Sequence, residues 1–553
     1  MMAHSTTWGW RRSPLLVCSI VVLFVLLMQS WFLFRYNVRV SALLHPFDGL
    51  DAALPAYAQP ATYTVTITKA APTVTVTEAA PIPSAVPAEQ LPKTPAQVAP
   101  LHDVVLSIKT GGTVIFNRVP IQLLTFVQYF PNTLVYSDLK TKLGDWEVTD
   151  ALSHISADVA GDSLKHWRTM QELNLQGAGL ADAEGKVGDL KEGWALDRFK
   201  NVPIMIETYR RHPRASYYLF IDGDTSMVTS NWWPFLLELT KKHDPLSSPI
   251  YQGSASNIGS FSFGHGGSGY LINQAAMRKM FPKGMVDQAF LDDLERNYTK
   301  VASHSCCGDV VLAHAMVDRG GMPIDSKGPF FQGDSWWNVP WKEDNFCKPV
   351  GTMHHHLPED MQEMWEFEQA MLRKNDMWRP AGWTPQHEQG VVKWRFTHMP
   401  PEVRDMNLSD YKHILYRDMY DWFVAQRLPR EVTREEGEDW GDSAVRIGWD
   451  NRSWTEGEFN EDRIKEMEGE VEQWKKDAFT SEKDCRLACE KHMEKCLQWF
   501  YRKDHCGYSE HLKYGRRLPH DGKASERRER GVSGWIPRRI EEEEKKWRAK
   551  CPG

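Results

Sequence analysis

The sequence has no long block of basic residues. Its 66 lysines and arginines are interspersed among 73 acids, for a net charge of −7, so the basic footprint of a nucleic-acid binder is missing and no nucleic-acid partner is expected. None of the 9 cysteines forms a Cys-x2-Cys pair, which removes the paired spacing of a zinc knuckle. No small-x-small cleavage site follows the apolar run of residues 15–34, so that run reads as a retained anchor instead of a cleaved leader. Residues 54–100 have few charges and no helical period. Pro, Ala, Thr and Val dominate them, a composition that gives an extended stalk and no packed core.

Several features are present in their place. Residues 15–34 are interrupted only by Ser19, Gln29 and Ser30, about the length that crosses a bilayer as a helix. Arg11 and Arg12 precede the run, and Arg35 and Arg39 follow it, so the orienting charge bias is weak. A short cytoplasmic tail and a luminal bulk are expected. Outside the run stand Cys306, Cys307, Cys347, Cys485, Cys489, Cys496, Cys506 and Cys551, an even number that suits bridges in an oxidising lumen. Asn297, Asn407 and Asn451 each head an N-glycosylation sequon. Tryptophan is abundant, 23 in all, which suits aromatic-lined grooves and cores equally.

The folded part begins with a β-rich run, residues 103–108, ending in Lys109-Thr110-Gly111-Gly112. A helix over residues 120–129 and a strand over 133–136, ending in Ser137-Asp138, follow as the opening of an alternating α/β domain. After a Gly/Ala-rich insertion, residues 194–209 have helical spacing and lead to Tyr217-Tyr218-Leu219-Phe220-Ile221-Asp222-Gly223-Asp224-Thr225. Five apolar or aromatic residues read as a buried strand that stops at two carboxylates. Ligands of open α/β sheets sit at such carboxyl ends, and two hard oxygen donors suit Mn2+ or Mg2+ carrying a diphosphate. An Asp-Gly turn before a helix over residues 231–240 is the other reading of the same residues.

Gly264-His265-Gly266-Gly267-Ser268-Gly269 lets backbone N–H groups approach a ligand, or is a plain turn. Asn273 is placed to cap the next helix. Asp309 stands at the start of a helix-like stretch, a setting that suits a carboxylate base and an ordinary N-terminal acid alike. In His354-His355-His356, strand alternation puts His354 and His356 on one side and His355 on the other.

In this order the segments resemble family 31 glycosyltransferases, the group of the Fringe proteins and the core 1 β1,3-galactosyltransferases. Lys109-Thr110 and Tyr136-Ser137-Asp138 resemble the Fringe-type start. Asp222-Gly223-Asp224-Thr225 is similar to the family's Asp-Asp-Asp-Thr motif, with Gly223 in place of the middle acid. Gly266-Gly267-Ser268-Gly269-Tyr270 is similar to Gly-Gly-Ala-Gly-Tyr/Phe, and His354 to Leu357 to the Fringe Phe-His-Ser-His-Leu. The resemblance implies an inverting transfer of a sugar from a UDP-sugar to a glycan or glycoprotein hydroxyl, by family analogy in β1,3 linkage. It implies Asp309 as base, and Asp222, Asp224 and His354 or His356 around Mn2+ (or Mg2+), with His355 not excluded. Lys109, Thr110, Asp138, Asp222, Gly266 and Gly267 are expected at the donor.

The expected fold class is α/β: a GT-A type nucleotide-diphospho-sugar transferase domain with a single N-terminal transmembrane helix and a small disulfide-rich C-terminal module. The expected boundaries are a tail at 1–14, an anchor at 15–34, a stem at 35–101 and a transferase domain at 102–375. A helical extension at 376–477, a cysteine module at 478–517 that resembles PAN/apple domains, and a charged tail at 518–553 complete the chain. Cys485, Cys489, Cys496 and Cys506 are expected to form two disulfides, with Cys551 free or bridged. A type II protein of the Golgi membrane with a luminal catalytic part follows. The alternative is a catalytically silent glycan-binding or adhesion protein whose donor site is degenerate at Gly223.

Overall fold

Eight strands form the main sheet: β1 (Val104–Lys109), β2 (Asn132–Ser137), β3 (Thr141–Leu143), β4 (Trp146–Asp150), β5 (Tyr217–Asp222), β6 (Tyr251–Gly253), β7 (Tyr270–Asn273) and β8 (Asp325–Ser326). Their spatial order is β8-β6-β7-β5-β1-β2-β4-β3. The structure, a computed structural model, describes residues 101, 103–155, 157–175, 190–374, 385–388, 391–394, 413–434, 440–518 and 531–551. All of these fall in one of the chain's two units, Val86–Gly553.

The sheet is central because its inner strands are apolar on both faces. β1 pairs in parallel with β2 and with β5, and β7 runs antiparallel to β5. Successive side chains of a strand point to opposite faces. Tyr218 and Phe220 therefore join one core, with Val105 and with Met205 and Met316 of the covering helices. Tyr217, Leu219 and Ile221 join the other, with Leu106, Ile108, Val119 and Trp232. Full burial of one such side chain stabilises by about 1.5–3 kcal/mol. The helices that supply these contacts are α1 (Ile115–Leu124), α2 (Asn201–Arg211), α3 (Thr229–Lys242) and α4 (Gly308–Gly320). The helix expected over 120–129 starts earlier, directly after the Gly111-Gly112 turn. Pro120 lies inside it, and a 3-10 turn takes over at Phe126–Tyr129. Asn273 caps its helix as expected, accepting the Ala276 N–H at 3.0 Å.

A second, five-stranded antiparallel sheet has the order Ala444–Ile447, Val532–Trp535, Gln498–Arg502, His505–Ser509 and Gly457–Phe459. Cys485–Cys506 and Cys489–Cys496 are the two bridges of the cysteine cluster. Cys347–Cys551 ties down the end of a helix at Pro537–Lys550. The neighbours Cys306 and Cys307 are bonded to each other. Trp336, Val339, Met353 and Phe367 share one core with Leu497, Tyr514, Trp535 and Ile540.

This architecture corrects the expected fold class. In place of a GT-A type domain with a transmembrane helix and a small cysteine module, the described residues form a mixed α/β structure of several sheets with four disulfides. No described helix is long and apolar enough to cross a membrane. Residues 15–34 and the stem lie outside the described residues. The cysteine segment 478–517 is not self-contained either. Strands from the expected helical extension, at 444–447 and 457–459, and from the expected tail, at 532–535, complete its sheet. A single hairpin cannot bury Trp499 and Tyr501 in water, whereas further strands and a helix can.

Candidate functional site

The site grows from the carboxyl ends of β1 and β5, where Lys109 lies opposite Asp222. Beyond that pair the chain turns: Thr225 donates its N–H to Asp222 O at 3.1 Å, and its hydroxyl donates to Gly267 O at 2.7 Å. Gln122 of α1 donates to the carbonyls of Asp222 and Thr225 at 3.0 and 2.9 Å and fixes the turn from below. At position 223 a β-carbon would lie 2.9 Å from Thr110 Oγ1 and 3.1 Å from Thr110 Cβ. Buried Thr110 takes the space that a side chain at position 223 would need, so glycine stands there.

The two acids have different partners. Asp222 pairs with Lys109 Nζ at 3.2 Å, and Lys109 also reaches Asp197 at 2.7 Å. Burial pushes the Asp222 carboxyl up, against the charge of Lys109. Burial also opposes the Lys109 charge, yet Asp197 and Asp222 together hold its ammonium well above the usual range. Asp224 meets His354 Nε2 at 3.2 Å and Arg118 at 3.1 Å. Burial works against its ionisation, but the hydrogen bond and charge of His354, with Arg118, hold its carboxyl far below the ordinary value.

Short strands at Ser226–Met227 and Thr352–Met353 pair antiparallel and carry the histidines to this place, and His356 donates its N–H to Asp224 O at 3.0 Å. Ligand atoms of Asp224, His354 and His355 lie within 4.8 Å of one another. His354 Nδ1 is buried without a hydrogen-bond partner. This donor set fits a divalent transition ion, since imidazole suits Mn2+ better than Mg2+. The expectation that His354 and His356 point one way and His355 the other is corrected. His355 has φ 59°, which breaks the alternation of a strand and turns its ring beside His354, with centroids 3.8 Å apart. His356 is fully engaged: its Nε2 accepts the Trp336 N–H at 3.3 Å and its Nδ1 lies 2.6 Å from Ser226 Oγ. Burial and the charge of Arg516 bring its pKa down to about 3. Asp222 is likewise turned to Lys109 and not grouped with the three ligands.

On the other side stands Asp309, in the first turn of α4. Its Oδ2 accepts the Gly266 N–H at 2.9 Å and its Oδ1 the Val310 N–H at 2.8 Å. Burial, only partly offset by the Gly266 bond and Lys109, pushes this carboxyl up. The next residue, Gly267, lies against the histidine: a β-carbon there would fall 2.1 Å from the His354 ring. Gly266 and Gly267 thus join the acid of α4 to the histidines, and the Gly266 N–H is committed to Asp309.

Asp138 does not reach the ligand space. It is wholly buried, paired with Lys200 at 2.8 Å and accepting the Gly112 N–H at 2.6 Å, and it pins the turn after β1. Lys200 also donates to Thr110 O at 3.0 Å. Sequence reasoning missed Asp197, Lys200 and Arg118, and left His355 as an open alternative. A visible signal for the first two was an acid and a lysine three residues apart inside an otherwise packing helix. Two clefts of about 780 and 370 Å3 lie elsewhere, lined for example by Arg538 and Glu542, and by His154 and Arg210. The sequons also separate. Asn451 is fully buried and bonded to Trp499 O and Gly534 O, Asn297 is exposed on a helix, and Asn407 lies outside the described residues. No family model matches the chain, and no curated protein matches it.

Proposed function

We propose that this chain is a metal-dependent inverting glycosyltransferase that moves a sugar from a UDP-sugar to a hydroxyl of a glycan or glycoprotein. The observation that carries the reading is the pairing of an Asp224–His354–His355 ligand group with a raised-pKa carboxyl, Asp309, across one Gly-Gly step. Asp224, His354 and His355 would hold Mn2+, which when bound offsets the charge that develops on a departing diphosphate. Asp309 accepts the proton of the acceptor hydroxyl as its oxygen bonds to the anomeric carbon and the bond from that carbon to the diphosphate oxygen breaks. Attack opposite the leaving group inverts the centre. Backbone N–H groups of Gly266 and Val310 hold Asp309 in position, and a buried carboxyl is a stronger base than an exposed one. Lys109 holds the Asp197 carboxyl below its ordinary value, opposes the rise that burial imposes on Asp222, and adds positive charge near a diphosphate.

Four disulfides fit an oxidising compartment of the secretory pathway. Asp309→Asn tests the assignment: transfer falls by about 100-fold to 10,000-fold while Mn2+ and UDP still bind. Full transfer by this variant removes Asp309 from the role of base.

A further inference from the structure

His265 belongs to the site but has no part in the chemistry above. Its Nδ1 receives the Ser268 N–H at 3.2 Å and lies 2.6 Å from Ser268 Oγ. A backbone amide can only donate, so Nδ1 is an acceptor and the proton of the neutral ring sits on Nε2. Among the described residues no hydrogen bond engages Nε2, and the side chain is partly exposed.

The place of the ring is specific. Its centroid lies 5.5 Å from that of His354, edge to face, and the charges of His354, Asp309 and His355 act on it. The two residues that follow it are Gly266, bonded to Asp309, and Gly267, pressed against His354. His265 therefore stands at the seam between the ligand group and the base. In an inverting displacement the nucleophile and the leaving group lie on opposite sides of the anomeric carbon. The sugar in transfer must then occupy this seam.

We infer that the Nε2–H of His265 donates a hydrogen bond to an oxygen of the transferred sugar and so helps to set which donor is accepted. The inference rests on the glycosyltransferase reading. Two variants separate a ligand contact from a loop-holding role. In His265→Asn the amide oxygen can still accept from Ser268, but the outward donor is gone. In His265→Gln an amide N–H reaches toward the Nε2 position.

Binding of UDP, UDP-galactose, UDP-glucose and UDP-N-acetylglucosamine is titrated with Mn2+ on the wild type and both variants. For the sugar nucleotide that the wild type binds best, His265→Asn weakens binding about fivefold to tenfold, the worth of one neutral hydrogen bond, and His265→Gln recovers most of it. UDP binds all three proteins alike. If His265→Asn matches the wild type, or weakens UDP and the sugar nucleotide equally, the inference is overturned and the glycosyltransferase reading stands. If the wild type binds none of the four, the reading and the inference fall together.

Discussion

The end of β5 and the cysteine-bearing sheet both bury polar groups, to opposite purposes. In the second sheet every side-chain atom of the buried Asn451 is paired: Nδ2 donates to Trp499 O and Gly534 O, and Oδ1 accepts from Ser453 N and Oγ. At the end of β5 charge is gathered instead, with Lys109, Asp197, Asp222 and Asp224 in one cluster of charges and His354 Nδ1 left without a partner. Satisfied networks specify a core, whereas an unpaired buried atom calls for an explanation in function. Under the proposed function the first region holds a ligand and the second holds shape.

Changes on the two sides should have different consequences, and the largest falls at the ligand group. Asp224→Ala is expected to abolish Mn2+-dependent turnover and to remove Mn2+ binding by calorimetry, with the melting temperature little changed. Next comes Lys109→Met, which leaves Asp197 and Asp222 without their cation. A loss of about 3–5 kcal/mol in denaturant unfolding is expected. Asn451→Ala, in the second region, should cost about 2–3 kcal/mol from unpaired carbonyls and leave Mn2+ affinity alone. A change of Mn2+ affinity in that variant would break the division between the regions. In the same region, mass spectrometry of protein expressed through a secretory pathway should find Asn451 without a glycan. The smallest effect is His355→Ala, about tenfold in Mn2+ affinity. His356→Ala should instead lower stability, because its ring bonds only within the protein.

A pH profile sharpens the picture further. A base works in its ionised form, and the Asp309 pKa lies above the ordinary carboxylate value. Activity should therefore fall as pH drops through that raised pKa, and this limb should vanish from whatever activity Asp309→Asn retains.

The strands of the main sheet were legible because their apolar runs are short, continuous and bounded by polar turns. Residues 104–109, 132–137 and 217–222 lie within two residues of their expected places. The order of Asp224, Gly267 and Asp309 along the chain suggested that they come together, as they do around His354 and Gly266. The Lys109–Asp197 pair was not legible, since long-range packing brings these residues together and the spacing of Asp197 and Lys200 does not say which cation Asp197 meets. His355 was misread for a different reason: alternation holds only for extended backbone, and a left-handed residue reverses it. The second sheet was hidden because its strands are scattered between residues 444 and 535, and pairing between such distant strands leaves no local trace.

The most direct measurement is turnover of a panel of UDP-sugars by the purified protein, with Mn2+ and after its removal by a chelator. The expected result is release of UDP from at least one donor, with Mn2+ required and with activity lost in both Asp224→Ala and Asp309→Asn. No turnover of any donor, alongside intact glycan binding, would contradict the account and leave a glycan-binding protein in its place.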